Sequence, residues 1–233
     1  MGVIAGANIN DNGLVFSLDA ANFRSYSGSG LTSFGLVGGI GGTLVNGVGF
    51  TSANGGSFIF DGTNDFINCG NPTVLQGLQL DMTLSLWFKR LGNTGSGTLY
   101  SDYSDVSGLK IASLLRMDGS TLRYFTSSPS TTYQYVEPTN IVNNIWYFVS
   151  VTVSGTLSSP ILSIFINGTT YTYNLSALIN SPYTGSTHCI GGNIHVANEY
   201  FNGIISQLSI YNRALTAKEV KQNYNATKKR YGL

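Results

Sequence analysis

Three glutamates are the first residues to weigh for chemistry: Glu137, Glu199 and Glu219. A glycosidase flanks the scissile bond with two carboxylates, and these three are far apart in the sequence, with Glu219 better explained as a helix cap. His188 and His195 are the two histidines. A structural zinc wants four ligands, and two imidazoles alone do not supply them; both read as loop or strand surface. Ser27-Gly28-Ser29-Gly30 lies between no clear strand and helix, so it does not read as a nucleophile elbow. Catalysis is therefore not expected.

Binding chemistry is better represented. Tyr124-Phe125 and Tyr133-Gln134-Tyr135 bracket a Ser/Thr/Pro-rich stretch, and Asn180-Ser181-Pro182-Tyr183-Thr184-Gly185 has a similar character. Aromatic faces stack on sugars, and tyrosine serves equally well at protein interfaces. Tyr124, Tyr133, Tyr135 and Tyr183 are the candidate contacts for a carbohydrate or partner. In Phe60-Asp61-Gly62-Thr63-Asn64-Asp65, Asp61 and Asn64 can bond nearby amides and Gly62 can take positive φ, which is turn chemistry. Cys69 and Cys189 are too few for a disulfide scaffold and read as small buried hydrophobes, although a bridge between neighbouring strands stays open.

The elements that must position these residues are strands. Of 233 residues, 42% are hydrophobic, 12% aromatic and only 10% charged. That mix, with abundant Gly, Ser, Thr and Asn, favours strands and tight turns. From Ile145 to Val153 the odd positions are apolar or aromatic and the even ones turn polar after Phe148, the period of a strand with one buried face. Asn167-Gly168 between alternating runs predicts a type I′ hairpin. Residues 27–56 read as long loops around one or two weak strands. A helix is predicted over about 215–226, with Thr216 and Glu219 spaced as a capping box and a basic tail over 227–233 suited to its dipole. One domain over 1–233 is expected.

Net charge is +1, from 12 basic and 11 acidic residues. No basic stripe is present for nucleic acid, and no 18-residue apolar run for a membrane span. The N-terminus lacks the charged start and apolar run of a secretory signal.

Several segments together resemble the laminin-G-like, or concanavalin A-like, lectin and glucanase superfamily, in its phage and bacterial branch. They are Leu14-Val15-Phe16-Ser17-Leu18-Asp19, Phe60-Asp61-Gly62, Leu84-Ser85-Leu86-Trp87-Phe88, Trp146-Tyr147-Phe148-Val149 and Phe201-Asn202-Gly203-Ile204-Ile205 through Leu215-Thr216. The resemblance implies an all-β fold, a two-sheet antiparallel jelly-roll sandwich with one short C-terminal helix. It implies no required cofactor, and a structural calcium on Asp61, Asn64 and Asp65, with Gln207 standing where relatives carry an Asp. The glucanase pattern Glu-x-Asp-x-(x)-Glu has no counterpart here. By analogy the resemblance implies a non-enzymatic virion protein of a tailed phage, made in the host cytoplasm. Such a capsid decoration or tail module would form a homo-oligomer and bind other virion subunits and host-surface glycans. The alternative is a carbohydrate-binding adhesin or lectin domain with no virion role.

Overall fold

The computed structural model describes residues 8–92, 95–104, 110–126, 134–136, 138–178 and 186–233. In chain order the strands begin β1 (Leu14–Asp19), β2 (Thr32–Phe34), β3 (Gly41–Val45), β4 (Gly49–Thr51), β5 (Ser57–Asp61), β6 (Phe66–Asn68), β7 (Met82–Arg90) and β8 (Ser96–Ser104). They continue with β9 (Lys110–Asp118), β10 (Thr121–Thr126), β11 (Gln134–Val136), β12 (Trp146–Thr156), β13 (Ser159–Ile166), β14 (Thr169–Asn174), β15 (Thr187–Ile190) and β16 (Asn202–Tyr211). A single α-helix among the described residues, α1 (Ala217–Thr227), follows.

Two antiparallel sheets result, as the sequence predicts. The first runs β14-β13-β12-β7-β16-β5-β4, and β1 pairs with the second half of β16. The second runs β11-β10-β9-β8-β15-β6-β3-β2. Alternation decides which side chains meet between them. In β12, Val149, Val151 and Val153 enter the main core, while Trp146, Phe148, Ser150 and Thr152 face outward. In β7, Leu84, Leu86 and Phe88 point inward, and Trp87 points out. From the second sheet come Ile67, Tyr100, Leu115, Met117, Leu122, Tyr124 and Ile190.

The β13–β14 hairpin turns at Asn167 (φ 45°) and Gly168 (φ 115°), both in the left-handed region that a type I′ turn requires. The Asn167 side chain also clamps β12: Oδ1 accepts from the Phe148 amide at 2.7 Å, and Nδ2 donates to the Trp146 carbonyl at 3.0 Å.

Helix α1 starts one residue after Thr216, and its capping box with Glu219 is formed. The helix and the turn after it cover the outward aromatics of the first sheet. Trp87 stacks on Tyr231 at 4.0 Å between centroids and donates from Nε1 to Thr227 Oγ1 at 2.8 Å. The basic tail is not simply solvated. Arg230 reaches back to Asp19 (2.7 Å), the Gly56 carbonyl (2.7 Å) and Ser206 Oγ (2.5 Å), tying the chain end to β1 and β16.

Residues 27–56 hold three short strands, β2, β3 and β4, rather than one or two. Glycines dilute their alternation, so only the pairings, β3 to β6 and β4 to β5, reveal them. Cys69 and Cys189 are buried and free. Cys189 pairs with Asn68 across the sheet. Cys69, one residue on, therefore points to the opposite face, which rules out a bridge.

Candidate functional site

The outer face of the second sheet carries a cluster of polar and aromatic side chains. Strands β8, β9 and β10 place it there by register. Leu114 pairs with both Ser101 and Phe125, and Arg116 with both Thr98 and Arg123. Between Asp102 and Tyr103 the register shifts by one residue, so Ala112 is extra and Ile111 joins Tyr103. A bulge of this kind re-aims a side chain. Here it turns Ile111 onto the outer face beside Tyr103, which alternation from Ser101 already places there, and both pack with Leu114, Phe125 and Val196.

These residues, with Arg116 and Glu199, line a groove of about 200 Å³. Its floor is apolar and its rim is charged. The Arg116 guanidinium lies over the Phe125 ring, 4.5 Å from the centroid, a cation–π contact. The same guanidinium pairs with Asp118 at 2.8 Å and with Glu199. Arg123 reaches Oδ2 of Asp118 at 2.5 Å, and Ser96 donates to Oδ1, the oxygen facing Arg116 Nε, at 2.7 Å. Asn193 donates to Glu199 at 3.1 Å. His195 stacks on Tyr103 at 5.4 Å. Two arginines and two carboxylates leave this cluster electrically balanced. Burial alone would raise the Asp118 carboxyl, but hydrogen bonds from Arg116 and Ser96 and the Arg116 charge outweigh it and hold it below the usual carboxylate range. The rim thus sets fixed donors and fixed acceptors side by side.

On the inner face of the same sheet lies a second polar cluster, sealed in the core. Tyr100 Oη meets His188 Nδ1 at 2.8 Å, and His188 Nε2 stands 3.7 Å from Asp102 Oδ1. His188 is 1% exposed, which corrects the expectation of a surface histidine. Its neighbours Thr187 and Cys189 gave no alternation strong enough to mark an inward position. Burial pushes Asp102 up to about 7 against a hydrogen bond from Ser186, and pushes His188 down to about 4. This triad presents no atom to the groove.

The residues singled out from sequence are scattered. Tyr124 is 1% exposed, so it is a core residue and not a stacking platform; it pairs with Leu115, whose side chain faces inward. Tyr133 and Tyr183 lie outside the described residues. The Tyr135 position in β11 pairs with Phe125 of the groove, and its side chain lies outside the described residues. Asp61, Asn64 and Asp65 form a turn away from the groove. Asp61 Oδ1 accepts from the Thr63 amide at 2.7 Å, Asp65 Oδ2 accepts from the Asp61 amide at 3.1 Å, and the Asn64 carbonyl accepts from Asn46 at 3.0 Å. Asp65 is 3% exposed and its Oδ1 has no hydrogen-bond partner. Among the described residues, no three His, Cys, Asp or Glu side chains converge as a metal site.

Arg116, Asp118, Arg123 and Glu199 were not singled out as a binding site from sequence. The signal available was the alternation Leu114-Arg116-Asp118, with polar residues on the face opposite Leu115 and Met117. Glu199 joins only through tertiary folding.

Comparison with known proteins places the fold. A family model for the concanavalin A-like lectin/glucanases superfamily matches residues 61–221. No curated protein matches the chain. Among solved structures, Trypanosoma rangeli sialidase in complex with sialic acid superposes with a TM-score of 0.72 at 14% identity, over 98% of this chain and 35% of that one. Domain 4 of AbnA, a GH43 extracellular arabinanase from Geobacillus stearothermophilus in complex with arabinotriose, gives 0.64 at 17% identity, over 93% of this chain and 100% of that one. The botulinum neurotoxin type G receptor binding domain gives 0.61 at 19% identity, over 92% and 51%. The chain thus spans about a third of the sialidase's length, and at these identities the likeness is one of fold.

Proposed function

The chain belongs to the concanavalin A-like lectin/glucanases superfamily, and from that premise we propose that it is a glycan-binding module that holds its ligand without cleaving it. The observation that carries this reading is the groove on β8–β10, where an apolar floor meets the balanced rim of Arg116, Asp118, Arg123 and Glu199. Sugars present apolar C–H faces and rings of hydroxyls, and this groove offers a counterpart to each. A balanced rim selects neutral glycans, because an anionic sugar would meet Asp118 and Glu199 as well as the arginines. The similar arabinanase domain, described with arabinotriose, supports a neutral oligosaccharide. Both carboxylates are engaged by arginine, an arrangement suited to holding a ligand more than to proton transfer. This moves the reading from a virion surface role to the glycan-binding alternative.

Arg116→Met tests it, because methionine keeps an aliphatic stem over Phe125 and removes the charged donors. Hydrogen bonds to charged groups contribute about 1.5–3 kcal/mol. Calorimetric titration with neutral arabino-, xylo- and gluco-oligosaccharides should therefore show affinity falling roughly ten- to hundredfold. Unchanged affinity in a folded variant would remove the groove from the account, and release of shortened sugars by the wild type would overturn the non-catalytic part.

The orphaned Asp65 Oδ1, with Asp61 beside it, favours one further element: a structural calcium at this turn. Calcium takes 6–8 oxygens. Asp61 and Asp65 would supply part of that set, with carbonyls and water completing it. Adding calcium to EDTA-treated protein should raise its thermal midpoint, and Asp65→Asn should abolish the response. No rise in the wild type would dismiss the ion.

A further inference from the structure

The outer face of the first sheet divides into two halves. Helix α1 and the turn after it cover the half built on Trp87, Phe148 and Tyr211. Beyond the helix start, the other half forms a groove of about 240 Å³. Its walls are Ser150, Thr152, Ser163, Thr170 and Thr172 on the sheet side, and Leu215 and Val220 on the helix side.

Register turns the hydroxyls into rows. Thr83, Thr152, Ser163 and Thr172 are successive partners across β7, β12, β13 and β14. Ser85, Ser150, Phe165 and Thr170 form the next row. Neighbouring strands stand about 4.8 Å apart, and rows two residues apart lie about 6.8 Å apart. The result is a grid of hydroxyls with Phe165 set within it.

Three features distinguish this grid from an ordinary wetted sheet face. Its floor is sunken: Ser150 is 1% and Thr152 8% exposed. Among the described residues, no charged side chain lines it. Its hydrogen bonds along the outer row are long, with Thr152 Oγ1 to the Ser163 carbonyl at 3.5 Å and Ser163 Oγ to Thr172 Oγ1 at 3.4 Å, while Ser85 donates to Ser150 at 2.8 Å in the next row. The hydroxyls of Thr152, Ser163 and Thr172 therefore keep capacity for another partner, and each can donate or accept.

We infer that this groove is a second saccharide site, independent of the β8–β10 groove, that takes a neutral polyhydroxylated ligand. A charged ligand would find no counterion here and would lose its hydration. A purely apolar ligand would bury hydroxyls without partners, a costly arrangement. A neutral sugar meets both conditions, with its hydroxyls on the grid and its C–H face toward Phe165, Leu215 and Val220. Because the two sheets turn their outer faces away from each other, the two grooves lie on opposite sides of the sandwich. The module would then be bivalent, able to bridge two glycan chains.

The test is a titration of the ¹⁵N-labelled full chain with arabinotriose at millimolar concentration, read by amide shifts, with 3′-sialyllactose as the acidic control. Thr172 is exposed and Ser163 half-buried, so Ser163→Val combined with Thr172→Val should fold normally. Saturable shifts at the amides of Thr152, Ser163, Thr172 and Ala217 are expected in the wild type and equally in Arg116→Met. In the double variant affinity at this groove should fall by about tenfold or more. Sialyllactose should leave these amides unmoved. Shifts confined to the β8–β10 residues, or shifts here that survive the double variant, would overturn the proposal. So would shifts that arise from protein self-association, seen as a rise in sedimentation coefficient. Loss of these shifts in Arg116→Met would also overturn it, whereas shifts at the β8–β10 residues that survive Arg116→Met would count against the first groove only.

Discussion

Asp102 and Asp118 sit on neighbouring strands of one sheet, and their surroundings send them in opposite directions. Asp118 faces outward with two arginines and a serine on its oxygens, and its carboxyl is held below the ordinary range. Asp102 faces inward beside His188 with no arginine against it, and burial lifts its carboxyl to about 7. What separates them is the side of the sheet, set by alternation and adjusted by the bulge between Thr98 and Tyr100, where Leu99 is the extra residue. The outer cluster keeps its charges and can offer them to a ligand. The inner cluster resists charge and serves packing. A family likeness alone does not make this distinction, since one fold hosts many sites.

The largest expected effect breaks the inner cluster into its two titrations. Asp102 has a folded pKa of about 7, above its unfolded value, so its contribution to stability is lost as pH rises from about 4 to 7. His188 has a folded pKa of about 4, below its unfolded value, so its contribution is lost as pH falls from about 6.5 to 4. Each slope is about 1.4 kcal/mol per pH unit, with opposite signs. In the wild type they cancel across the shared window. Asp102→Asn leaves the histidine alone, so stability should climb with pH between about 4.5 and 6.5. His188→Gln leaves the carboxyl alone, so stability should fall over the same range. Urea denaturation at several pH values reads both. Two flat profiles would show that neither group is held in the charge state its burial demands.

The same contrast explains what was legible in the sequence. The sandwich was, because β7, β12 and the β13–β14 hairpin carry strong alternation and Asn167-Gly168 can turn only one way cheaply. The capping box at Thr216 was, because it is local. The short strands β2 to β4 were blurred by glycine, and their existence depends on partners distant in the chain. The groove was illegible for a related reason. Arg116 and Asp118 read as isolated charges until β10 brings Arg123 alongside and the segment after β15 brings Glu199. Tyr124 misled because tyrosine is equally at home in core and rim, and only its parity against Leu122 places it inside. His188 misled in the same way.

The outer cluster should give a smaller and differently shaped response. Asp118→Asn removes the charge that Arg116 and Arg123 share, at a side chain that is 13% exposed and close to solvent. Ion pairs near the surface contribute about 0–1 kcal/mol. Because the folded carboxyl is held low, that contribution is present above the ordinary carboxylate range and is lost as pH falls through it. It should also shrink as salt is raised, since screening reaches partly exposed charges. The Asp102→Asn difference at alkaline pH should be insensitive to salt, because its origin is desolvation. Measuring both variants at low and high ionic strength sets the two clusters side by side. A cost of several kcal/mol for Asp118→Asn, unmoved by salt, would make the outer cluster part of the core's architecture. It would then be too rigidly committed to its own pairs to open toward a sugar.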